Sequence, residues 1–142
     1  VMADFSGKWL CSGVDNMEKF MEAVGIAWMM RKAASGLGFG VGKQALEITM
    51  APGGTDVQII DKDPMGNCKT IKLQADGNPF EMDTPMGGAG TATVTWEGDT
   101  LVQSFTKKDG QVIVTRRRLD GDKLEVTLLT KGITAKRIYS RQ

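Results

Sequence analysis

From Ala45 to Arg141 the chain is cut by turn signals into short segments in which apolar and polar residues alternate. Nothing else in the sequence restricts the fold as strongly. A period of two suits a half-buried strand, and glycine-centred pairs between such runs suit hairpins. The segments Ala45–Met50, Asp56–Asp61, Lys69–Leu73, Pro79–Met82, Thr91–Trp96, Leu101–Thr106, Gln111–Leu119, Lys123–Thr130 and Ile133–Arg141 read as strands. Between them fall Pro52-Gly53-Gly54, Met65-Gly66-Asn67, Asp76-Gly77-Asn78, Glu97-Gly98-Asp99, Asp109-Gly110, Asp120-Gly121 and Lys131-Gly132. With Gly7–Gly13 added, about ten antiparallel strands are expected. So many short strands in one small domain, residues 1–142, predict an all-β fold, a closed up-and-down barrel whose closure removes both exposed edges.

One stretch departs from this pattern. Between Asn16 and Ser35 the apolar residues Met17, Phe20, Met21, Val24, Ile26, Trp28, Met29, Met30 and Ala33 fall at spacings of three and four. Gly25 divides the stretch, so two short helices are expected, with Asp15 or Asn16 capping the first. The alternating glycines Gly36, Gly38, Gly40 and Gly42 follow. They do not make a nucleotide loop, because Gly42-Lys43 is followed by Gln44 and the helix precedes the glycines instead of following them. A flexible connector is the expectation there.

Composition narrows the chemistry. With 18 Lys+Arg against 17 Asp+Glu, the net charge of +1 lacks the basic excess that phosphate neutralisation demands, so no nucleic acid partner is expected. The chain has no histidine, which removes Ser-His and Cys-His nucleophile pairs and His metal ligands. No enzyme activity, metal or cofactor is expected. The opening Val1-Met2-Ala3-Asp4-Phe5 carries no basic segment before an apolar run, and no apolar run approaches the roughly 20 residues of a membrane span. Cys11 and Cys68 therefore read as reduced thiols of a cytoplasmic protein.

The last three strands permit a register argument. If Asp120-Gly121-Asp122-Lys123 turns the chain, Leu119 faces Leu124 and Arg117 lies opposite Val126. If Lys131-Gly132 is a two-residue turn, Thr130 faces Ile133 and Arg137 lies opposite Val126 from the other side. Leu124, Val126 and Leu128 form the apolar face of their strand, so Arg117 and Arg137 both point inward, roughly 10 Å apart between Cα atoms. Tyr139 points inward one step along, opposite Leu124. A one-residue slip would instead expose Arg117 and bury Arg116 and Arg118. Two buried guanidinium groups are costly without an anion, and the inward positions of these three strands carry no Asp or Glu. The expected anion is a ligand carboxylate held by the arginine forks and the tyrosine hydroxyl.

The opening Phe5-Ser6-Gly7-Lys8-Trp9, the helical stretch running to Arg31-Lys32-Ala33-Ala34, Pro79-Phe80-Glu81, Asp109-Gly110 and the closing Arg137-Ile138-Tyr139 resemble the intracellular lipid-binding protein family. That family includes the fatty acid-binding and cellular retinoid-binding proteins, and the resemblance runs the whole chain. It implies a ten-stranded, lipocalin-like barrel with a helix-turn-helix lid between the first two strands. It also implies a cavity that carries a hydrophobic ligand, with the carboxylate clamp of acid-binding members falling on Arg117, Arg137 and Tyr139. Arginine at both clamp positions favours an acid over retinol. A long-chain fatty acid is the first expectation, and retinoic acid, retinol or a bile acid are the alternatives. By the same resemblance Met17, Met21, Ile26 and Met30 are cavity or portal residues, and Phe80 and Val126 belong with them. Phe5 and Trp9 are read as packing near the closed end.

A monomeric carrier with a mobile lid as its gate is thus expected. Arg31-Lys32 raises a second class of function, a module that contacts membranes or an importin through the lid, with nuclear entry as a corollary. Three departures from the family stand out. The link Gly36–Gly42 is longer than usual, and the turn at Pro85-Met86-Gly87-Gly88 lacks charge, giving an apolar rim. One residue is inserted near Leu101–Thr106, leaving open whether Gln103 and Phe105 or Ser104 and Thr106 face the cavity, with a bulge able to explain either.

Overall fold

The computed structural model describes residues 3–84 and 88–142. Strand β1 (Gly7–Asp15) leads into helices α1 (Met17–Val24) and α2 (Trp28–Gly36). Then follow β2 (Ala45–Met50), β3 (Asp56–Lys62), β4 (Cys68–Gln74), β5 (Phe80–Thr84), β6 (Gly88–Glu97), β7 (Thr100–Lys107), β8 (Val112–Asp120), β9 (Lys123–Thr130) and β10 (Ile133–Arg141). The ten strands form one antiparallel sheet in the order β4-β3-β2-β1-β10-β9-β8-β7-β6-β5, so the first and last strands pair and the sheet curls into a barrel. No helix is long and apolar enough to cross a membrane among the described residues.

The expected full closure is corrected at one seam. β4 and β5 share no ladder, although Asp76-Gly77-Asn78 has the composition of a hairpin turn. Gly77 N–H donates instead to Val94 O at 3.0 Å, which carries the chain past its neighbour towards β6. The gap is crossed by the ion pair of Lys69 Nζ with Asp83 Oδ2 at 3.3 Å, and charge on both facing edges discourages pairing with another chain.

Alternation decides which side of each strand faces inward. In β9, Leu124, Val126 and Leu128 are buried, while Glu125, Thr127 and Leu129 keep part of their surface exposed. β7 runs without interruption against both neighbours, with Gln103 and Phe105 buried. No bulge lies there; the register shift falls in β1, between Cys11 and Gly13.

The apolar stripe of α1, formed by Met17, Phe20, Met21 and Val24, is buried. Gly25 ends the helix at φ 99°, donating to Glu22 O at 3.0 Å, while Ile26 N–H returns to Met21 O at 3.0 Å. Asn16 occupies the N-cap, but its Nδ2 donates to Thr134 O at 2.9 Å and ties the lid to β10. Phe5 and Trp9 are fully buried, with Trp9 Nε1 donating to Phe5 O at 2.9 Å. Phe5 stacks on Trp96 with ring centroids 5.5 Å apart, and the Arg141 guanidinium lies 4.2 Å over the Trp9 ring. The glycine-rich connector is a bonded turn. Gly38–Gly40 makes a turn of 3-10 helix with Phe39 at φ 53°, Gly42 N–H donates to Cys11 O at 2.7 Å, and Cys11 N–H donates to Gln44 O at 2.8 Å.

Candidate functional site

The barrel is hollow beneath α1. A cavity of about 150 Å³, partly open to solvent, is lined by apolar residues such as Leu46, Ile59, Phe105 and Leu128, with Phe20 reaching in from the lid. Among the polar or charged residues that line it are Gln44, Asp61, Gln103, Arg117, Arg137 and Tyr139. Arg117 on β8 pairs across Val126, and Arg137 on β10 pairs across the same residue from the opposite side. Tyr139 pairs with Leu124 one step along. The hairpin turns before β9 and β10 therefore bring both guanidinium groups and the tyrosine to one end of the hollow. Arg116 and Arg118 point outward, to Glu97 at 3.4 Å and Glu125 at 3.3 Å.

Neither Arg117 nor Arg137 enters an ion pair among the described residues. Arg117, only 8% exposed, donates through Nη1 to Gln103 Oε1 at 2.8 Å. Arg137 donates through Nη1 to the carbonyl of Phe39 in the glycine-rich turn. Burial pulls the Arg117 guanidinium down to about 10, against the opposing influence of Tyr139 and Asp61, so it stays charged at neutral pH. Burial pushes the Tyr139 phenol up, with Arg137 and Arg117 acting against it, so the hydroxyl keeps its proton and can donate. Two cations whose hydrogen-bond partners are neutral thus face a largely apolar hollow, an arrangement suited to a carboxylate.

Sequence reasoning looked for an interior acid only on the last three strands and missed Asp61, which enters from β3. The alternation Val57, Ile59, Asp61 carries the signal, since the first two are buried on the inner face. Gln44 Nε2 donates to Asp61 Oδ1 at 3.1 Å. Burial raises the Asp61 carboxyl, while the Gln44 bond, Arg137 and Arg117 lower it and Asp63 adds to the rise. A carboxyl raised in the folded state binds its proton more tightly than in the unfolded chain, so its anion costs stability above the ordinary value of 3.8 and costs it fully above the folded value. Asp61→Asn is therefore expected to raise Tm at neutral pH, with the gain shrinking as pH falls through the raised folded value. A series of thermal melts across pH 4–8, an order-of-magnitude window around ordinary carboxylate titration, checks the sign.

The remaining sequence-derived positions separate. Val126 lines the hollow between the arginines. Met17 and Met21 are buried in the core under the lid, and Ile26 packs against that core half-buried. Met30 faces outward with 64% of its surface exposed, because the inward side of the lid is occupied by α1. Phe80 lines a second, more open depression beside β2, β3 and β4, with neither arginine in its lining. From the lid it is Phe20 that reaches the hollow, a residue that helical spacing places on the same stripe as the methionines. Pro85, Met86 and Gly87, the apolar rim of the sequence reading, lie outside the described residues.

No protein-family model matches the chain. The intestinal fatty acid-binding protein of Rattus norvegicus is 29% identical over 140 residues, covering 97% of this chain and 98% of the relative. Fatty acid-binding protein homolog 6 of Caenorhabditis elegans is 29% identical over 142 residues, covering 98% of each. A solved fatty acid transporter, REP1-NXSQ, superposes with a TM-score of 0.83 at 24% identity, covering 98% of this chain and 96% of its own. The chain is thus similar over nearly its whole length to fatty acid-binding proteins, which supports the resemblance read from its sequence. The glycine-rich link is joined to the hollow itself, since the Phe39 carbonyl accepts from Arg137 and Gly42 N–H donates to Cys11 O of β1.

Proposed function

We propose that the protein, as one domain over residues 1–142, carries a long-chain fatty acid or a similar small hydrophobic acid in the barrel, as a cytoplasmic monomer without catalytic activity. The carboxylate would lie on Arg117, Arg137 and Tyr139, with the tail along the apolar wall. The observation that carries this reading is Arg117 itself, a buried cation lining a hollow and bonded to a neutral amide. Fatty acid-binding proteins among the relatives support the same ligand class. Hexadecanoic acid and hexadecanol, titrated as competitors of a fluorescent fatty acid, separate head-group recognition from tail burial. The acid is expected to bind at least about 30-fold more tightly, as about 2 kcal/mol from a charge-assisted contact implies, and Arg137→Gln to remove most of that preference. Equal affinities would contradict the clamp.

A second reading, membrane contact through the lid, is favoured by one observation. Trp28, Met29 and Met30 are 60%, 76% and 64% exposed on α2. Arg31 does not contribute a basic patch, because Glu18 and Glu22 hold it at 3.1 and 3.4 Å and its Nη1 donates to Ile26 O. Lys32 lies 5.5 Å over the Trp28 ring. Contact would thus be apolar, with ligand transfer at the bilayer surface as its use. Co-sedimentation with phosphatidylcholine vesicles is expected to fall on replacing Trp28, Met29 and Met30 by serine, and to change little when anionic lipid is added. Binding that needs anionic lipid would sink this mode of contact.

A further inference from the structure

Asp61 is a carboxylate in the lining of the hollow to which a plain fatty acid offers no hydrogen-bond donor. An ionised carboxylate accepts hydrogen bonds and offers none. Of the donors around it, Gln44 Nε2 supplies one at 3.1 Å. That amide lies near the clamp: a Cβ built at Gly40 would lie 2.7 Å from Gln44 Oε1 and 3.2 Å from Arg137 Nη1. Asp61, Gln44 and Arg137 therefore lie near one another and line the same hollow as Arg117 and Tyr139.

A plain carboxylate seated on the arginines brings a second negative charge and more acceptors into this enclosed space, and gives Asp61 nothing to bind. Like charges in a poorly hydrated site oppose one another. A head group that also carries a hydroxyl changes the balance, because its O–H can donate to Asp61 while its carboxylate remains on the arginines. We propose that Asp61, oriented by Gln44, is a second polar anchor that selects acidic lipids bearing a hydroxyl close to the carboxylate over unsubstituted acids of the same length. This inference rests on the carrier reading above. A site built to bond a hydroxyl discriminates strongly against the analogue that lacks it, since the buried polar group is then left without its partner.

Competition against a fluorescent fatty acid tests the selection, using hexadecanoic, 2-hydroxyhexadecanoic and 3-hydroxyhexadecanoic acids with the wild type, Asp61→Asn and Asp61→Leu. In the wild type at least one hydroxy acid is expected to bind about tenfold more tightly than hexadecanoic acid, the effect of one hydrogen bond to a charged group. Asp61→Leu should abolish that preference and bind hexadecanoic acid several-fold more tightly than the wild type, as the repelling charge is gone. Asp61→Asn keeps an acceptor of the same shape, so it should gain affinity for hexadecanoic acid while keeping part of the preference. Equal affinity for all three acids in the wild type would overturn the selection and leave the carrier reading standing. Preference retained in Asp61→Leu would also overturn it, by showing that another group reads the hydroxyl. Failure of the wild type to bind any of the acids would overturn both readings.

Discussion

Arg117→Gln is expected to make the ligand-free protein more stable and the acid complex weaker. The guanidinium is 8% exposed, bonded to the neutral Gln103, and held charged at neutral pH with its pKa pulled down to about 10 by burial. A base whose folded pKa is lowered costs stability in its protonated form, so the cost is full below about 10 and declines as pH rises past it. Glutamine removes the charge and can still bond Gln103. A gain of about 1–3 kcal/mol is expected in the ligand-free protein near neutral pH, the scale on which neutral groups outperform buried charges. Hexadecanoic acid should then bind at least about 30-fold more weakly, corresponding to about 2 kcal/mol or more for truncating one partner of a buried charged contact. Denaturant unfolding and ligand titration on the same preparation read both quantities. Loss of stability with unchanged affinity would place Arg117 in a structural role.

The second large effect concerns the lid. Phe20 is fully buried and is the α1 residue that lines the hollow, so Phe20→Ala leaves a void between lid and barrel. Destabilisation of about 3–5 kcal/mol is expected, as for other buried phenylalanines replaced by alanine. Bound fatty acid should also dissociate faster, because this apolar stripe helps hold the lid down together with the Asn16 bond to Thr134 and the bonds of Lys107 Nζ to Val24 O and Gln111 Nε2 to Ala23 O, both 2.9 Å. Met30→Ser serves as the control on the outer face of the lid. With 64% of Met30 exposed, its replacement should shift stability by no more than about 0.5 kcal/mol. Equal effects from the two variants, measured by urea unfolding and stopped-flow displacement, would show that the lid does not seat through Phe20.

The arginine-bearing end of the hollow was legible because two turns fix it. Lys131 and Gly132 both take positive φ, 48° and 75°, the geometry of a two-residue hairpin turn, and this sets Arg137 against Val126. The turn at Gly121 sets Arg117 against the same residue. Where no turn fixes the outcome, sequence reading falls short. The composition of Asp76-Gly77-Asn78 is that of a hairpin, yet Gly77 bonds to Val94 and the barrel stays unladdered between β4 and β5. On the lid, Met17, Phe20 and Met21 share one stripe, and spacing alone does not tell which of them passes the rim of the barrel. Gln103 stayed unresolved because Leu101–Thr106 has apolar residues on both faces, and only its pairing with Val94 and Thr115 decides the inward set. Asp61 was visible in the alternation of β3, but a search for acids confined to the arginine-bearing strands passes over it, since β3 reaches that end of the hollow only when the barrel curls.

The most direct measurement is the ionisation of a bound fatty acid, followed by carbon-13 NMR of hexadecanoic acid labelled at its carboxyl carbon. Seated between Arg117 and Arg137, the carboxylate should stay ionised well below the range of about 4–5 in which an exposed carboxyl titrates, and Arg117→Gln and Arg137→Gln should each move its titration back towards that range. A bound acid that titrates as though in free solution, indifferent to both substitutions, would contradict the account.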